Sequence, residues 1–301
     1  MVTGHGLDRD GTIIREGALD RVPAAFVPVV DAARARITET FGDPRLHDAC
    51  LNTTYLHSAY LYGSIPRGTA VPGVSDLDLL IVFRDEPADA DRAAARALEA
   101  ALDEDFPQIN GAGIVLGSVP GTLSELERYD GGFFVACLCT PLLGEDLAAR
   151  LPRYRPTSLL ARETNGDLAL VLPRWRARAA QAVTDADRQA LTRAIARRLV
   201  RTGFTLIMPR WGGWTSDLRL SADLFAQYYP ERAGQLRRAA AIARTPSADP
   251  AVLAMLIDDL GPWLAAEYTA VHGEKAPRPL GPGAPSIRLA TTTPDSRPAA
   301  N

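Results

Sequence analysis

Two aspartates at the start of an apolar run are the residues of this chain best suited to chemistry. Asp76 and Asp78 lead into Leu79–Phe83, which contains apolar residues only. Because side chains alternate along a strand, the two carboxylates would share one face, while Leu77 points to the other. Two like charges at the mouth of a buried strand are costly unless a cation lies beside them. Oxygen ligands of this kind suit Mg²⁺, which proteins hold with one or two carboxylates and substrate phosphates.

The residues before this pair could bind phosphate. Gly63 lets the backbone approach a phosphate closely, and Ser64 offers a hydroxyl and an N–H group. Arg67 could neutralise phosphate oxygens, although a structural ion pair is an equal alternative for this arginine. Ser75, directly before Asp76, is the fourth nucleotide-binding candidate. Together these residues predict a site for Mg²⁺ and a nucleoside triphosphate.

The spacing of these residues resembles that of a known enzyme family, the nucleotidyltransferase superfamily with the DNA polymerase β-like fold. It is similar in particular to aminoglycoside nucleotidyltransferases. The resemblance rests on one motif: Gly63-Ser64-x-x-Arg67-Gly68 followed by Ser75-Asp76-x-Asp78. It implies that Asp76 and Asp78 are catalytic metal ligands, and that Ser64 and the backbone near Gly63 hold the β- and γ-phosphates. It also implies transfer of a nucleoside monophosphate to a hydroxyl acceptor, and we expect this group to be AMP from ATP.

One position departs from the family pattern. A third acid normally lies on the strand that follows the next helix, and Ile109–Val119 fills that place without any Asp or Glu. Gly113 stands about where the acid is expected. Replacement candidates by chain position are Glu125, Glu145 and Asp146. The alternatives are therefore an enzyme with a substituted base, or a degenerate, non-catalytic module that binds nucleotide or another protein.

Composition narrows the class of protein. The chain has 301 residues and a formal net charge of -3, with Lys+Arg 33 against Asp+Glu 36, so it shows no strong nucleic-acid signal. Its three cysteines form neither a disulfide framework nor a zinc pattern. The polar N-terminus lacks an apolar signal-peptide core, and no apolar run could span a bilayer. We expect a cytoplasmic protein that does not bind membranes; the sequence leaves the oligomeric state open.

The pattern of apolar residues predicts an α+β fold with an N-terminal mixed sheet and flanking helices, followed by an α-helical bundle domain. The predicted domains are 1–150, nucleotidyltransferase-like, and 151–274, α-helical. A Pro-, Ala-, Thr- and Ser-rich tail over 275–301 is expected to be disordered. The sheet domain has these predicted elements: a helix over Pro23–Phe41, strands over Leu56–Tyr62 and Ser75–Phe83, a helix over Ala90–Asp105, a strand over Ile109–Val119, a helix over Leu123–Tyr129 and a strand over Gly132–Thr140.

The second half of the chain predicts helices, after a proline-punctuated transition over 150–175. One starts at Thr184, capped with Asp187, and ends at Met208-Pro209. Others cover Asp217–Tyr229 and a stretch from Pro250 to about Val271. Near the N-terminus, Gly6–Ile13 resembles the first motif of haloacid-dehalogenase phosphatases, but no apolar strand precedes it, so a turn is predicted.

Overall fold

The computed structural model describes residues 5–42 and 56–276. The chain divides into two compact units, one formed by residues 14–153 and the other by residues 5–13 together with 154–276. The first contains a four-stranded mixed sheet and the second is helical apart from one isolated bridge between Leu7 and Ile13. The predicted α+β fold class is therefore confirmed. No helix in the described part of the chain is long and apolar enough to cross a membrane.

The sheet has the strand order β3-β2-β1-β4. Strands β1 (Leu56–Tyr62) and β2 (Leu77–Phe83) are antiparallel neighbours, and β3 (Ala112–Ser118) pairs with β2 in parallel. Strand β4 (Cys139–Gly144) pairs with β1 in antiparallel fashion. The parallel pair requires a crossover, which helix α2 (Asp89–Asp105) supplies.

Each face of the sheet packs against its own apolar cluster because side chains alternate along β2. Leu77, Leu79 and Ile81 point to the face that packs with helix α1 (Val27–Phe41) and with α2. Leu80 and Val82 point to the opposite face, among side chains from β1 and the segment before β4. Both faces of β2 are thus buried, as its continuous apolar run predicts.

Two predictions for the segment between β3 and β4 are wrong. The helix expected over Leu123–Tyr129 is replaced by turns, after a four-residue helix α3 (Val119–Thr122). Most of the strand expected over Gly132–Thr140 is helical: α4 (Gly131–Phe133) continues into a π-helix over Phe134–Leu138. A short, fully apolar run does not distinguish a buried helix from a buried strand by periodicity. Pro141 lies inside β4, which is possible because β4 is an edge strand.

The second unit is organised around one long helix, α7 (Asp185–Trp211), whose central turns are buried. The Thr184 side chain and Asp187 form the predicted capping box. The remaining helices, in chain order, are α5 (Ser158–Asn165), α6 (Leu168–Gln181), α8 (Leu218–Tyr228), α9 (Ala233–Ile242), α10 (Pro250–Ala254) and α11 (Gly261–His272). A π-helix over Met255–Leu260 joins α10 to α11.

Three details of this unit differ from the prediction. The transition expected over 150–175 contains α5 and most of α6, with Pro173 inside α6. Helix α7 continues through Pro209 and ends at Gly212, which adopts a left-handed conformation at φ 73°. The sequence predicts Thr215 or Ser216 as the cap of α8, but the cap is Asp217, whose carboxylate accepts from the N–H of Leu220.

The two ends of the chain differ in what the structure describes. Gly6–Ile13 contains the predicted turn, because Asp8 accepts backbone N–H groups from Asp10 and Thr12 at 2.9 and 3.0 Å. The tail predicted over 275–301 lies outside the described residues from 277 onward. Lys275 itself is buried and donates to the backbone carbonyl of Glu163.

Candidate active site

Asp78 is the second residue of β2, one of the two central strands, and lies on the face that carries Leu80 and Val82. Its partner on β1 is Tyr62, and its partner on β3 is Gly113. Tyr62 is in turn paired with Cys139 of β4. Paired residues of neighbouring strands project to the same face, so Asp78, Tyr62 and the Gly113 position form a row across the sheet.

The turn after β1 is shaped around the Asp78 carboxylate. Gly63 adopts φ +82°, a conformation that L side chains rarely adopt. A Cβ on Gly63 would also come closer than 3.0 Å to Asp78 Oδ2. Glycine is therefore required at this position both by the backbone and by the carboxylate. The structure brings together the two positions that the sequence singles out, the glycine of the turn and the second aspartate.

Asp76 lies one residue before β2 and is held by a different partner. Its Oδ1 accepts a hydrogen bond of 3.0 Å from the side-chain amide of Asn110. Ser75 closes the preceding turn, because its hydroxyl accepts from the N–H of Val71 at 2.9 Å. The Ser75 hydroxyl thus has a structural bond, and its predicted contact with nucleotide stays a prediction.

Arg67 takes part in the turn and in an ion pair. Its Nε donates to the carbonyl of Gly63 at 2.9 Å, and its Nη1 lies 3.8 Å from Glu16 Oε2. The Arg67 side chain is 29% exposed and that of Glu16 is 16% exposed, so Arg67 keeps a surface from which it could reach a phosphate. The structural alternative for this arginine is present in the structure.

The segment that contains Glu16 makes backbone hydrogen bonds that hold the turn after β1 in place. The N–H of Ala18 donates to the carbonyl of Pro66 at 2.9 Å, and the N–H of Glu16 donates to the carbonyl of Cys137 at 3.0 Å. Gly17 lies so close to Thr140 and Pro66 that a Cβ would collide with both. The turn is thereby positioned by its own chain upstream as well as by β1 and β2.

Cys139 is a packing residue of this face. Burial raises the pKa of its thiol well above the ordinary value, and the negative charges of Asp146 and Asp78 act in the same direction, while Arg15 opposes them. A thiol of this kind stays protonated and is a poor nucleophile. Cys137 behaves similarly, since burial raises the pKa of its thiol to about 12.

The three acids considered as replacements for the third carboxylate each have another contact. Glu125 pairs with Arg128, and Glu145 lies 3.9 Å from the ring of His57 with 70% of its side chain exposed. Asp146 pairs with Arg15 at 2.8 Å and caps the turn at Leu147–Arg150. Within residues 5–42 and 56–276, no group of three or more His, Cys, Asp or Glu residues is arranged to hold a metal ion.

The side chains near Gly63 nevertheless include oxygen donors of the kind that a divalent cation prefers. Asp76 and Asp78 supply two carboxylates, and Ser64 is half-buried beside Gly63. Mg²⁺ prefers such oxygen donors and completes its octahedron with water and phosphate oxygens. Burying an Asp78 oxygen against the Gly63 turn leaves the other oxygen facing the Gly113 position, 4.0 Å from where a Cβ would lie.

Two residues that support the site were missed in the sequence. Asn110 falls within the strand that the sequence predicts, but it lies two residues before β3 and beside Asp76, the residue before β2, in the parallel pair. Glu16 lies far from the motif in sequence, and no local pattern links it to Arg67. Only the parallel register of β2 and β3 and the path of the upstream segment bring these residues to the site.

Comparison with known proteins agrees with the motif. Residues 50–110 match the family model of the nucleotidyltransferase domain. No protein of curated function matches the chain. Among solved structures, spectinomycin adenyltransferase AAD(9) from Enterococcus faecialis, with ATP and spectinomycin, has 14% identity and a TM-score of 0.45, covering 78% of this chain and 98% of that chain. The resemblance to the nucleotidyltransferase superfamily is confirmed for residues 50–110, which match the nucleotidyltransferase domain, and this match supports a nucleotidyltransferase enzyme.

Proposed function

We propose that the protein is a Mg²⁺-dependent nucleotidyltransferase that moves AMP from ATP to a hydroxyl acceptor. The observation that carries the proposal is the fit of the Asp78 carboxylate against the left-handed Gly63 turn. The Asp78 carboxylate lies so close to the turn that position 63 must be glycine. This close approach favours a site where the turn binds phosphate and the carboxylate binds a cation. The matched nucleotidyltransferase domain supports the same class of reaction.

The residues would divide the work as follows. Asp76 and Asp78 would hold Mg²⁺, which supplies positive charge to the attacking and leaving oxygens. Ser64 and the backbone of Gly63 would orient the β- and γ-phosphates through their N–H and hydroxyl groups. Arg67, held by Gly63 and Glu16, would offset charge on the leaving pyrophosphate.

Asn110 would orient the Asp76 carboxylate through its amide. A rotated carboxylate presents its lone pairs in the wrong direction, so this hydrogen bond would affect cation affinity more than folding. Ser75 would act mainly by closing the turn that presents Asp76, and its contact with nucleotide remains part of the proposal.

A second candidate function is a module that binds nucleotide without transferring it. The observation that favours it is Gly113, which is paired with Asp78 and carries no side chain. A third carboxylate at this position would help to hold the cation and activate the acceptor. The two candidates share the nucleotide site and differ in turnover.

The wider setting is also proposed. Two buried, free cysteines fit a reducing cytoplasm. Functional domains with limits at 1–150 and 151–274 remain a proposal, in which the first holds the nucleotide. The partners would be a nucleoside triphosphate and one acceptor, without nucleic acid or membrane.

Replacement of one aspartate tests the proposal. Asp76→Ala should abolish Mg²⁺-dependent transfer from ATP to any acceptor in a panel that includes aminoglycosides and the protein itself. Asp85→Ala is the matched control, because Asp85 is an exposed aspartate beyond the other end of β2. Equal thermal melting of both variants would show that the fold is intact, and undiminished transfer by Asp76→Ala would defeat the proposal.

Equilibrium dialysis with labelled ATP separates the two candidate functions. An enzyme binds ATP and consumes it when the acceptor is present. A binding module retains ATP unchanged under every acceptor condition, with the same loss of binding in Asp76→Ala.

A further inference from the structure

The Gly113 position faces the site and is open. In the parallel register of β2 and β3, Gly113 is the direct partner of Asp78. A Cβ on Gly113 would meet Asp78 Oδ1 at 4.0 Å, and no other described atom of the chain would lie within 4 Å of it. A side chain at position 113 would therefore point at the Asp78 carboxylate and have room to do so.

The backbone places no obstacle to a side chain here. Gly113 lies inside β3 and is not among the described glycines with positive φ. Its glycine identity therefore has no conformational reason, unlike that of Gly63. What Gly113 determines is the number of carboxylates on this row of the sheet.

That number controls how a cation can be held. Asp76 and Asp78 offer two carboxylates, and no third His, Cys, Asp or Glu among the described residues completes a metal group with them. Mg²⁺ loses its water reluctantly and needs six oxygen ligands in near-octahedral geometry. Two carboxylates, one of them already hydrogen-bonded to the exposed Asn110, give little advantage over water, whereas triphosphate oxygens add both charge and ligands.

We propose that Gly113 makes divalent-cation binding at this site depend on the nucleotide, so that the cation is taken up only as its triphosphate complex. The inference rests on the proposed function, because it requires that the Gly63–Asp78 region binds a triphosphate. It adds a determinant: a carboxylate at position 113 converts the site into one that holds the cation alone.

Mn²⁺ binding measures this without any need for turnover or a known acceptor. Free Mn²⁺ would be followed by electron paramagnetic resonance, with and without α,β-methylene-ATP, whose α–β linkage resists transfer. Because the analogue chelates Mn²⁺ by itself, each titration would be compared with the same concentration of analogue without protein. The wild type should bind Mn²⁺ roughly tenfold or more tightly when the analogue is present. Gly113→Asp should bind Mn²⁺ without the analogue, at least about tenfold more tightly than the wild type does.

Two control variants separate charge from other effects. Gly113→Asn has nearly the shape of the aspartate variant without its charge, and it should leave Mn²⁺ binding close to the wild-type value. Gly234→Asp adds the same charge at an exposed helical glycine with no atom within 4 Å of a Cβ, and it should also leave Mn²⁺ binding unchanged. Thermal melting identifies any variant that does not fold. If Gly113→Asp alone does not fold in the absence of metal, the titration is replaced by a test of whether added Mn²⁺ restores its melting transition.

Each outcome decides one of the claims. Tight Mn²⁺ binding by the wild type without nucleotide, abolished by Asp78→Asn, would overturn the inference and leave the proposed function standing. Unchanged Mn²⁺ binding in a folded Gly113→Asp variant would overturn it as well. Failure of the wild type to bind the analogue in equilibrium dialysis would instead refute the proposed function, and the nucleotide dependence with it.

Discussion

A methyl group on Gly63 should damage the site far more than the fold. Alanine at φ +82° costs about 1–2 kcal/mol, because its Cβ approaches the following carbonyl in the left-handed region. In Gly63→Ala the same Cβ would also lie closer than 3.0 Å to Asp78 Oδ2. The carboxylate must retreat by roughly 1 Å, and a displacement of that size can reduce a reaction rate about 100-fold.

Gly73→Ala is the matched control for this substitution. Gly73 has φ +72°, and a Cβ there would meet nothing within 4 Å. Both variants should lose about 1–2 kcal/mol of unfolding free energy, which for a domain of this size lowers Tm by about 2–8 °C. Only Gly63→Ala should also displace Asp78.

The assay compares the two variants in melting and in nucleotide-dependent transfer. We expect Gly73→Ala to keep transfer within about threefold of the wild type and Gly63→Ala to lose about 100-fold. If acceptor is lacking, Mn²⁺ affinity in the presence of α,β-methylene-ATP replaces the rate. Equal transfer by the two variants, with similar melting, would refute the link between the Gly63 turn and the Asp78 carboxylate.

Three further predictions concern polar side chains: Glu99 and Asn110 in the sheet unit, and Asp167 in the helical unit. Burial raises the pKa of the Glu99 carboxyl above its unfolded value of 4.5. The contribution of Glu99 to stability is therefore present below 4.5 and is lost as pH rises through the folded pKa. Glu99→Gln should flatten the dependence of Tm on pH in that range. Burial tends to raise the pKa of Asp167, but the positive charges of Arg198 and Lys275, together with hydrogen bonds to the carboxylate, outweigh burial and leave the pKa lowered. The resulting contribution to stability is present above the unfolded value of 3.8 and is lost as pH falls through the folded value. Asp167→Asn should cost about 1–3 kcal/mol near neutral pH, measured by urea unfolding, and much less once the pH has fallen through the lowered pKa of Asp167. Asn110→Ala should weaken Mn²⁺–nucleotide binding by about tenfold or less with little change in Tm, because its amide orients Asp76 from an exposed position.

Each of these predictions has a clear contrary result. A pH profile of Tm that is identical in Glu99→Gln would mean that the buried carboxyl does not titrate between the two states. The same unfolding free energy for Asp167→Asn at neutral pH would mean that the ion pair with Arg198 contributes nothing. A large fall in Tm for Asn110→Ala would assign that amide to the fold and not to the site.

The strands around the site could be predicted because their sequence signals are local. The run after Asp78 is continuously apolar, and β1 is bounded by a glycine turn. Helix α2 is amphipathic, so its limits differ from the prediction by one residue only. The residues that were singled out in the motif also lie together, with Gly63 against Asp78 and Arg67 against the Gly63 carbonyl.

What failed to be predicted depends on contacts distant in sequence. The run Phe133–Cys139 contains only apolar residues, so its sequence fits a buried helix and a buried strand equally well. Most of it is helical where it packs against β1, and no local pattern encodes this packing. Pro209 lies in the last turn of α7, two residues before its end, so this proline does not mark where the helix ends. Glu16 and Asn110 reach the site through chain path and strand register, which no local spacing encodes.

The position of the missing acid was predictable, but its consequence was not. Counting along the chain placed Gly113 near the expected carboxylate, and the register with Asp78 shows that the two are partners. The free space beside Asp78 Oδ1 becomes visible only in three dimensions. This space is the reason to expect that cation binding depends on the nucleotide.

The fate of label in the α- and γ-phosphates of ATP tests the central claim, nucleotidyl transfer at this site, most directly. With Mg²⁺ and the acceptor panel, label in the α-phosphate should appear in the modified acceptor, and label in the γ-phosphate should leave as pyrophosphate. Both signals should disappear in Asp78→Asn, whose amide cannot replace the carboxylate against Gly63 as a cation ligand. Transfer of the γ-label to the acceptor, or undiminished α-label transfer by Asp78→Asn, would contradict nucleotidyl transfer at this site.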